Sequence, residues 1–327
     1  MNSPITRLEC FPNELLLELF EYISPHDLYQ IFAQLNARLN VLIHSLRNLR
    51  VILPEDWDRE EQLPIPFHAS QISTLIIKHD EPIHFSAYPN LRSLKLSMPT
   101  REQCNGIQAA LLPHLEHLFI CNLYFADHSE ELCRLIFSST FSRLQTCQID
   151  RMTLDHSHSS SSSSLRQLIL SPSTWQSNFY PIIFQSCPRL THLTIQRLRK
   201  SSFSLAFDTP LLHTALRSLN MHFSSIGDDW FDQIDCLLSI VPNLEHFQLN
   251  IEQNEINLEF PFQRLAHLLT KHVPQLVNFQ AKLAMNQVLV EQPRTIQRLH
   301  PLFFHVQFQR YTHRNLHQYL LISSKQQ

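Results

Sequence analysis

The stretch FPNELLLELFEYISPHDL, residues 11–28, sets how the rest of the chain is read. Leu15, Leu16, Leu19 and Phe20 recur at helical spacing, with Tyr22 and Ile23 one turn on, so the apolar arc is wide for a lone surface helix. Pro12 suits a first turn, because its missing N–H has no helical acceptor to lose. Ser24 offers a hydroxyl to cap a second helix. Pro25 follows at its first position and Asp27 three residues after the cap, where a carboxylate favours exposed amides. A segment this small is expected to pack against something outside itself. Leu28, Ile31, Phe32, Leu35, Leu39, Leu42 and Ile43 supply a second apolar face, so a plain helical cap on the following domain is one reading of this head.

Phe11, Pro12, Glu14, Leu15, Leu16, Leu19, Phe20, Ile23, Pro25, Asp27 and Leu28 together resemble an F-box, whose core runs LP-x-E-I/L-L-x-x-I/L-F-x-x-L-x-P-x-D-L. The resemblance implies a three-helix module over residues 7–48 that docks on a Skp1-like adaptor and, through it, on cullin 1 of a ubiquitin ligase. It implies adaptor contacts from Pro12, Leu15, Leu16, Leu19, Phe20 and Ile23. Two departures stand out. Phe11 replaces the usual Leu, and FAQLNARLNVLIHS, residues 32–45, replaces the family's Val-Cys-Arg/Lys-x-Trp segment.

Composition narrows the partners. The chain has 327 residues, room for a large core and more than one domain, and a formal net charge of −3. That charge does not favour a polyanion, so no nucleic-acid partner is expected. The N-terminus has no continuous apolar stretch of a secretory signal, and no segment approaches the roughly twenty apolar residues of a spanning helix. No membrane partner is expected, and the expected location is cytoplasm, nucleus or both. The 7 Cys are scattered with no CxxC pair, which favours buried thiols over a disulfide framework or zinc cluster.

Beyond the head, residues 49–70 read as a linker or shoulder. They contain the acidic, proline-punctuated PEDWDREEQLPIP, residues 54–66, with Trp57 and Leu63 available to pack on either side. From Ile72 the period changes to L-x-x-L-x-L. Ile72-Leu75-Ile77, Leu91-Leu94-Leu96, Leu115-Leu118-Ile120, Leu144-Cys147-Ile149, Leu165-Leu168-Leu170, Leu190-Leu193-Ile195, Leu216-Leu219-Met221 and Leu244-Phe247-Leu249 follow it, and Leu276-Phe279-Ala281 is a weaker last case. Pro89, Pro113, Pro188, Pro242 and Pro274 each stand two residues before a first position, where proline stops a helix and favours an extended approach. Nearly all the intervals fall near the roughly 20–29-residue period of leucine-rich repeats.

The pattern resembles the diverged repeats of F-box/leucine-rich-repeat proteins. The expected fold class is therefore α/β, an N-terminal three-helix F-box followed by an irregular leucine-rich-repeat solenoid with parallel strands on the concave face. Residues 71–284 would form about nine repeat units, and residues 285–327 a C-terminal cap and tail. Segments 127–138, 228–240 and 261–272 carry helical periodicity and are expected to return the chain between strands. The usual Asn at the ninth position is absent, so each turn after a strand must satisfy its backbone in another way. The serine run 159–164 reads as a convex loop, and the final SSKQQ as a fraying tail.

A search for chemistry is negative. Gly106 and Gly227 are the 2 glycines of the chain, so a Gly-rich phosphate loop and a nucleophile elbow are missing. No HExxH is present, no cofactor or metal is expected, and no residue takes a catalytic role. His117, His192 and His246 recur at the third repeat position but not in adjacent repeats, which argues against a shared metal. Strand alternation sends positions three, five and seven to the open face. A protein client is expected there, held by Phe119, Gln148, Ile169, His192, Asn220 and His246, with Phe119 and Ile169 as apolar anchors.

Overall fold

Three helices open the chain: α1 (Asn13–Glu21), α2 (Pro25–Phe32) and α3 (Ala37–Ser45). The Ser24 hydroxyl accepts from the Asp27 N–H at 3.2 Å and donates to the Asp27 carboxylate at 2.7 Å, which caps α2 as its sequence suggests. Asn36 caps α3 by accepting from the Leu39 N–H at 2.8 Å. Leu16, Phe20, Leu28, Leu39, Leu42, Ile43 and Leu46 form a shared core, with Ile23 and Phe32 packed against it. The head thus makes a core of its own, because three apolar arcs converge where one could not close.

The computed structural model describes residues 10–32, 35–55, 69–123, 126–150, 164–171, 179–198, 212–224, 230–251, 262–285, 293–310 and 318–324. The chain is a mixed α/β protein that divides into two units, residues 1–122 and 123–327.

In the first unit, strands β1 (Leu49–Leu53), β2 (Ile72–Ile77), β3 (Ser93–Ser97) and β4 (His117–Cys121) pair in parallel in that order, with a short helix α4 (Arg101–Asn105) between the last two. Strand β1 lies inside the stretch expected as a linker. Its register sets Val51 against Leu75 and Leu53 against Ile77, so the motif's first position is Asn48 rather than leucine. That substitution hid the strand. Residues 56–68, with Trp57 and Leu63, lie outside the described residues.

Gln71 ties the head to this sheet. Its side-chain amide donates to the carbonyls of His44 and Leu46 at 2.8 Å each and approaches that of Ile43 at 3.3 Å, closing the C-terminus of α3. Gln103 is a second buried tie. Its amide donates to the His79 and Glu81 carbonyls at 3.0 and 2.6 Å, while its oxygen accepts from the Thr100 N–H at 3.1 Å.

Each proline before a motif sits at the second position of a reverse turn. The N–H groups of Leu91, Leu115, Leu190, Leu244 and Leu276 bond to the carbonyls three residues back, Tyr88, Leu112, Cys187, Val241 and Val273. A second recurrence fixes the register of the strands. One carbonyl at motif position two accepts two N–H groups from the next unit: Arg92 from Glu116 and His117, Arg166 from Thr191 and His192, Arg217 from Glu245 and His246. Turns after the strands use left-handed backbone where the Asn of regular repeats is absent: Met98 has φ 53° and Asn122 has φ 56°.

In the second unit the sheet order is β5 (Thr146–Asp150), β6 (Gln167–Ser171), β7 (His192–Leu198), β8 (Ser218–Phe223), β9 (His246–Ile251), β10 (Asn278–Met285), β12 (Gln318–Ser323), β11 (His305–Arg310). Pairing is parallel from β5 to β10 and antiparallel from β10 through β12 to β11. Helices α5 (Ala126–Phe137), α6 (Phe179–Ser186), α7 (Trp230–Ile240), α8 (Phe262–His272) and α9 (Pro293–Leu299) lie between strands. Helices α5, α7 and α8 fall on the three segments whose periodicity predicts them, and Ile234, Leu237, Leu238, Leu265 and Leu269 on the last two are buried.

The edge of β10 is covered by β12, and Phe303 packs with its ring tilted 44° at 5.5 Å from Phe279, itself 5.7 Å from Phe247. Ser324 is held rather than frayed, since its N–H donates to the Phe279 carbonyl and its hydroxyl accepts from the Phe279 N–H, both at 3.0 Å. Of the serine run, residues 159–163 lie outside the described residues, and the Ser164 hydroxyl donates to the Phe141 carbonyl at 2.9 Å.

Candidate docking surfaces

Helix α1 presents two faces about 100° apart, and the residues expected to meet an adaptor divide between them. Leu16 and Phe20 are 1 % and 2 % exposed, inside the head core, and Ile23 packs against that core. Neither Leu16 nor Phe20 is available at the surface in this conformation. Pro12 is exposed, and Leu15 and Leu19 stand 50 % and 41 % exposed. Phe11 and Tyr22 continue their face at helical spacing and are exposed too. Ile31, Leu35 and Val41 add exposed apolar side chains from α2, α3 and the turn between them, which the sequence motif does not single out. Arg38 braces this end of the head by donating to the Asn13 side chain at 2.8 Å and the Phe11 carbonyl at 2.7 Å.

The sheets supply the second kind of surface. Along β4, β5, β8 and β9 the motif's apolar residues are buried and the alternate residues more exposed, so the faces fall as strand alternation predicts. Phe119 and Ile169 are half-buried on the alternate face, opposite Leu118 and Leu168. In the second unit a row in register runs Gln148, Ile169, Thr194, Asn220, Gln248, Gln280. Beside it runs Thr146, Gln167, His192, Ser218, His246, Asn278. Gln148, Ile169 and Asn220 thus share one row and His192 and His246 the other, while Phe119 belongs to the first unit. These two rows are lined mostly by neutral hydrogen-bonding groups, with Ile169 among them, and the next alternate positions carry Asp150 and the exposed Lys282. The Oδ1 atoms of Asn220 and Asn250 are buried without a hydrogen-bond donor among the described residues.

The first unit's open face has a different character. Its register sets Ile52, Ile76, Lys95 and Phe119 side by side, flanked by the row Arg50, Thr74, Ser93, His117. Arg50 and Ile52 reach this face only because β1 joins the sheet, and no leucine at position 48 signals it.

Shifted acidities lie away from these rows. Burial holds His79, His213 and His300 below the usual histidine range, with Glu81 and Asp80 partly opposing it at His79. Burial raises the thiol of Cys104 to about 11 and, with Asp235 beside it, that of Cys236 to about 11, and pushes Cys147 and Cys187 higher, which disfavours their thiolate forms. Among the described residues no cluster of three or more His, Cys, Asp or Glu is placed to hold a metal, and no helix is long and apolar enough to cross a membrane. No model of a known protein family and no curated protein sequence matches the chain.

Proposed function

We propose that this chain is the substrate-recruiting subunit of an F-box-type ubiquitin ligase. The helical head holds a Skp1-like adaptor and through it cullin 1, and the open sheet faces of an irregular leucine-rich-repeat solenoid hold a protein client. The observation that carries the reading is the head itself. It completes a core with Leu16 and Phe20 and still leaves Phe11, Pro12, Leu15, Leu19 and Tyr22 at the surface. Clustered exposed apolar side chains of this kind mark an interaction face. Parallel strands joined by returning helices, with the same proline turn before β3, β4, β7, β9 and β10, support the repeat reading of the rest.

In this role the chain performs no covalent step. It raises the local concentration of client lysines beside a ubiquitin-charged enzyme held on the same scaffold, which turns a bimolecular encounter into an effectively intramolecular one. The contacts that matter are then equilibrium contacts on two separate surfaces.

The test is capture of purified Skp1 and cullin 1 by the full-length chain and two variants. Leu15→Ala with Leu19→Ala is expected to lower capture while unfolding stays closer to wild type than in a core variant, since both side chains are about half exposed and outside the head core. Leu16→Ala is expected to cost about 2–5 kcal/mol of stability by leaving a cavity in the head core. Capture that persists unchanged in the folded Leu15/Leu19 variant would move the adaptor surface elsewhere. A wild-type chain that retains clients but captures no adaptor, where another F-box protein does, would replace the ligase reading by a repeat scaffold. The substituted segment 32–45 is the feature that motivates that alternative.

A further inference from the structure

The open face of the first unit is cationic and apolar at once. Arg50 and Lys95 are exposed on it, and Lys78 is exposed at the next alternate position after β2. Among the described residues none of the three has a salt bridge, and the strands' open positions carry no carboxylate: Thr74, Ser93, Ser97, His117 and Cys121 fill the others. The chain as a whole has a net charge of −3, so this concentration of positive charge runs against its composition. In one row across the strands stand Ile52, 49 % exposed, the buried Ile76, Lys95 and the half-buried Phe119. Strands about 4.8 Å apart place Ile52 and Phe119 about 14 Å from each other across the sheet.

We propose that this face binds an extended acidic segment of a protein client, in which Asp and Glu residues alternate irregularly with Leu or Phe. The carboxylates pair with Arg50, Lys78 and Lys95, and the apolar side chains lie across Ile52 and Phe119. The charges are dispersed. From strand spacing and rise, the backbone positions of the three cations lie about 8 to 14 Å apart. Single carboxylates spaced along a chain match that separation. One phosphate dianion would instead call for an Arg fork or a nest of backbone N–H groups. A nucleic acid would call for more cations and more stacking rings than three and one. Ile52 and Phe119 supply contact area that salt does not screen, and the cations supply orientation and approach rate. The inference rests on the client-binding half of the proposed function. Its test uses no adaptor, so failure of either reading is separately visible.

The experiment is fluorescence anisotropy of a labelled peptide rich in Glu, Asp, Leu and Phe, titrated with the full-length chain. Three further probes are the same peptide with Gln and Asn for the acids, the same peptide with Lys for the acids, and a single-stranded oligoribonucleotide. The acidic peptide is expected to bind, and to weaken severalfold when salt is raised enough to shorten the screening length from roughly 10 Å toward 3 Å. Arg50→Glu with Lys95→Glu is expected to weaken it at least tenfold and to create binding of the Lys peptide. Both positions are exposed, and an unchanged melting profile verifies that the variant is folded. Phe119→Ala is expected to weaken binding with the salt dependence retained. Equal binding of the acidic and amide peptides, no response to charge reversal, or binding of the oligoribonucleotide alone would each overturn the proposal.

Discussion

Replacing Gln71 by Leu tests whether one buried amide fastens the helical head to the sheet. Leucine keeps much of the volume and removes the donors that reach the Leu46 and His44 carbonyls at 2.8 Å each. The Leu46 bond is buried, so losing its donor costs about 1–3 kcal/mol of uncompensated desolvation, while the partly buried His44 carbonyl regains some water and costs about 0.5–1.5 kcal/mol. The sum is about 1.5–4.5 kcal/mol, and it falls on the opening of α3 away from the strands rather than on the protein at large. At about 1.4 kcal/mol for each tenfold, amide hydrogens in α3 should exchange roughly 10- to 2000-fold faster, while those of β3 and β4 keep wild-type protection. Hydrogen–deuterium exchange read by mass spectrometry on peptides spanning 37–45 measures this directly. Gln71→Glu should be worse than Gln71→Leu at neutral pH, because a carboxylate would face carbonyl oxygens with no proton to give. Exchange in α3 of Gln71→Leu within threefold of wild type would mean that Gln71 does not fasten the head to the sheet.

Gly106→Ala should cost about 1–3 kcal/mol in equilibrium unfolding, because an added Cβ would meet the buried Phe85 ring at 2.9 Å; pairing it with Phe85→Leu should recover part of the loss. Met98→Asn should stabilise by about 0.5–1 kcal/mol, measured as a raised denaturation midpoint, since φ 53° suits Asn better than Met. Stability should fall as pH drops below about 6.5. His79, His213 and His300 titrate below that value when folded, so between their folded and unfolded ranges the unfolded chain binds more protons; above that window their contribution is complete. The geometry agrees, because the Nδ1 atoms of His79 and His300 accept backbone N–H groups of Glu81 and Leu302 at 3.1 Å each, bonds that protonation would end. His213→Gln, which retains a donor for the Cys187 carbonyl, should flatten the acid limb of urea midpoints measured across that range.

Local pattern was enough to place the head helices, the strands of the L-x-x-L-x-L motif and helices α5, α7 and α8. Leucines at positions one, four and six can be buried together only if the intervening residues alternate outward, and proline two residues earlier leaves no helix to continue. The cap of α2 was equally local, since Ser24 and Asp27 need nothing beyond their own turn. Ownership of an apolar face was a different matter. Leu15, Leu16, Leu19 and Phe20 look alike in one dimension, yet Leu16 and Phe20 fill the head core while Leu15 and Leu19 do not, because only the packing of α3 and α2 against α1 selects which side closes. Strand β1 likewise depended on long-range pairing. Asn48 breaks its motif, and backbone hydrogen bonds to β2, which are indifferent to side-chain identity, bring Arg50 and Ile52 onto the open face. The end of the sheet was decided the same way: aromatic composition marked residues 285–327 as a closing segment, but the reversal of direction at β12 follows from its pairing with β10, which no local pattern encodes.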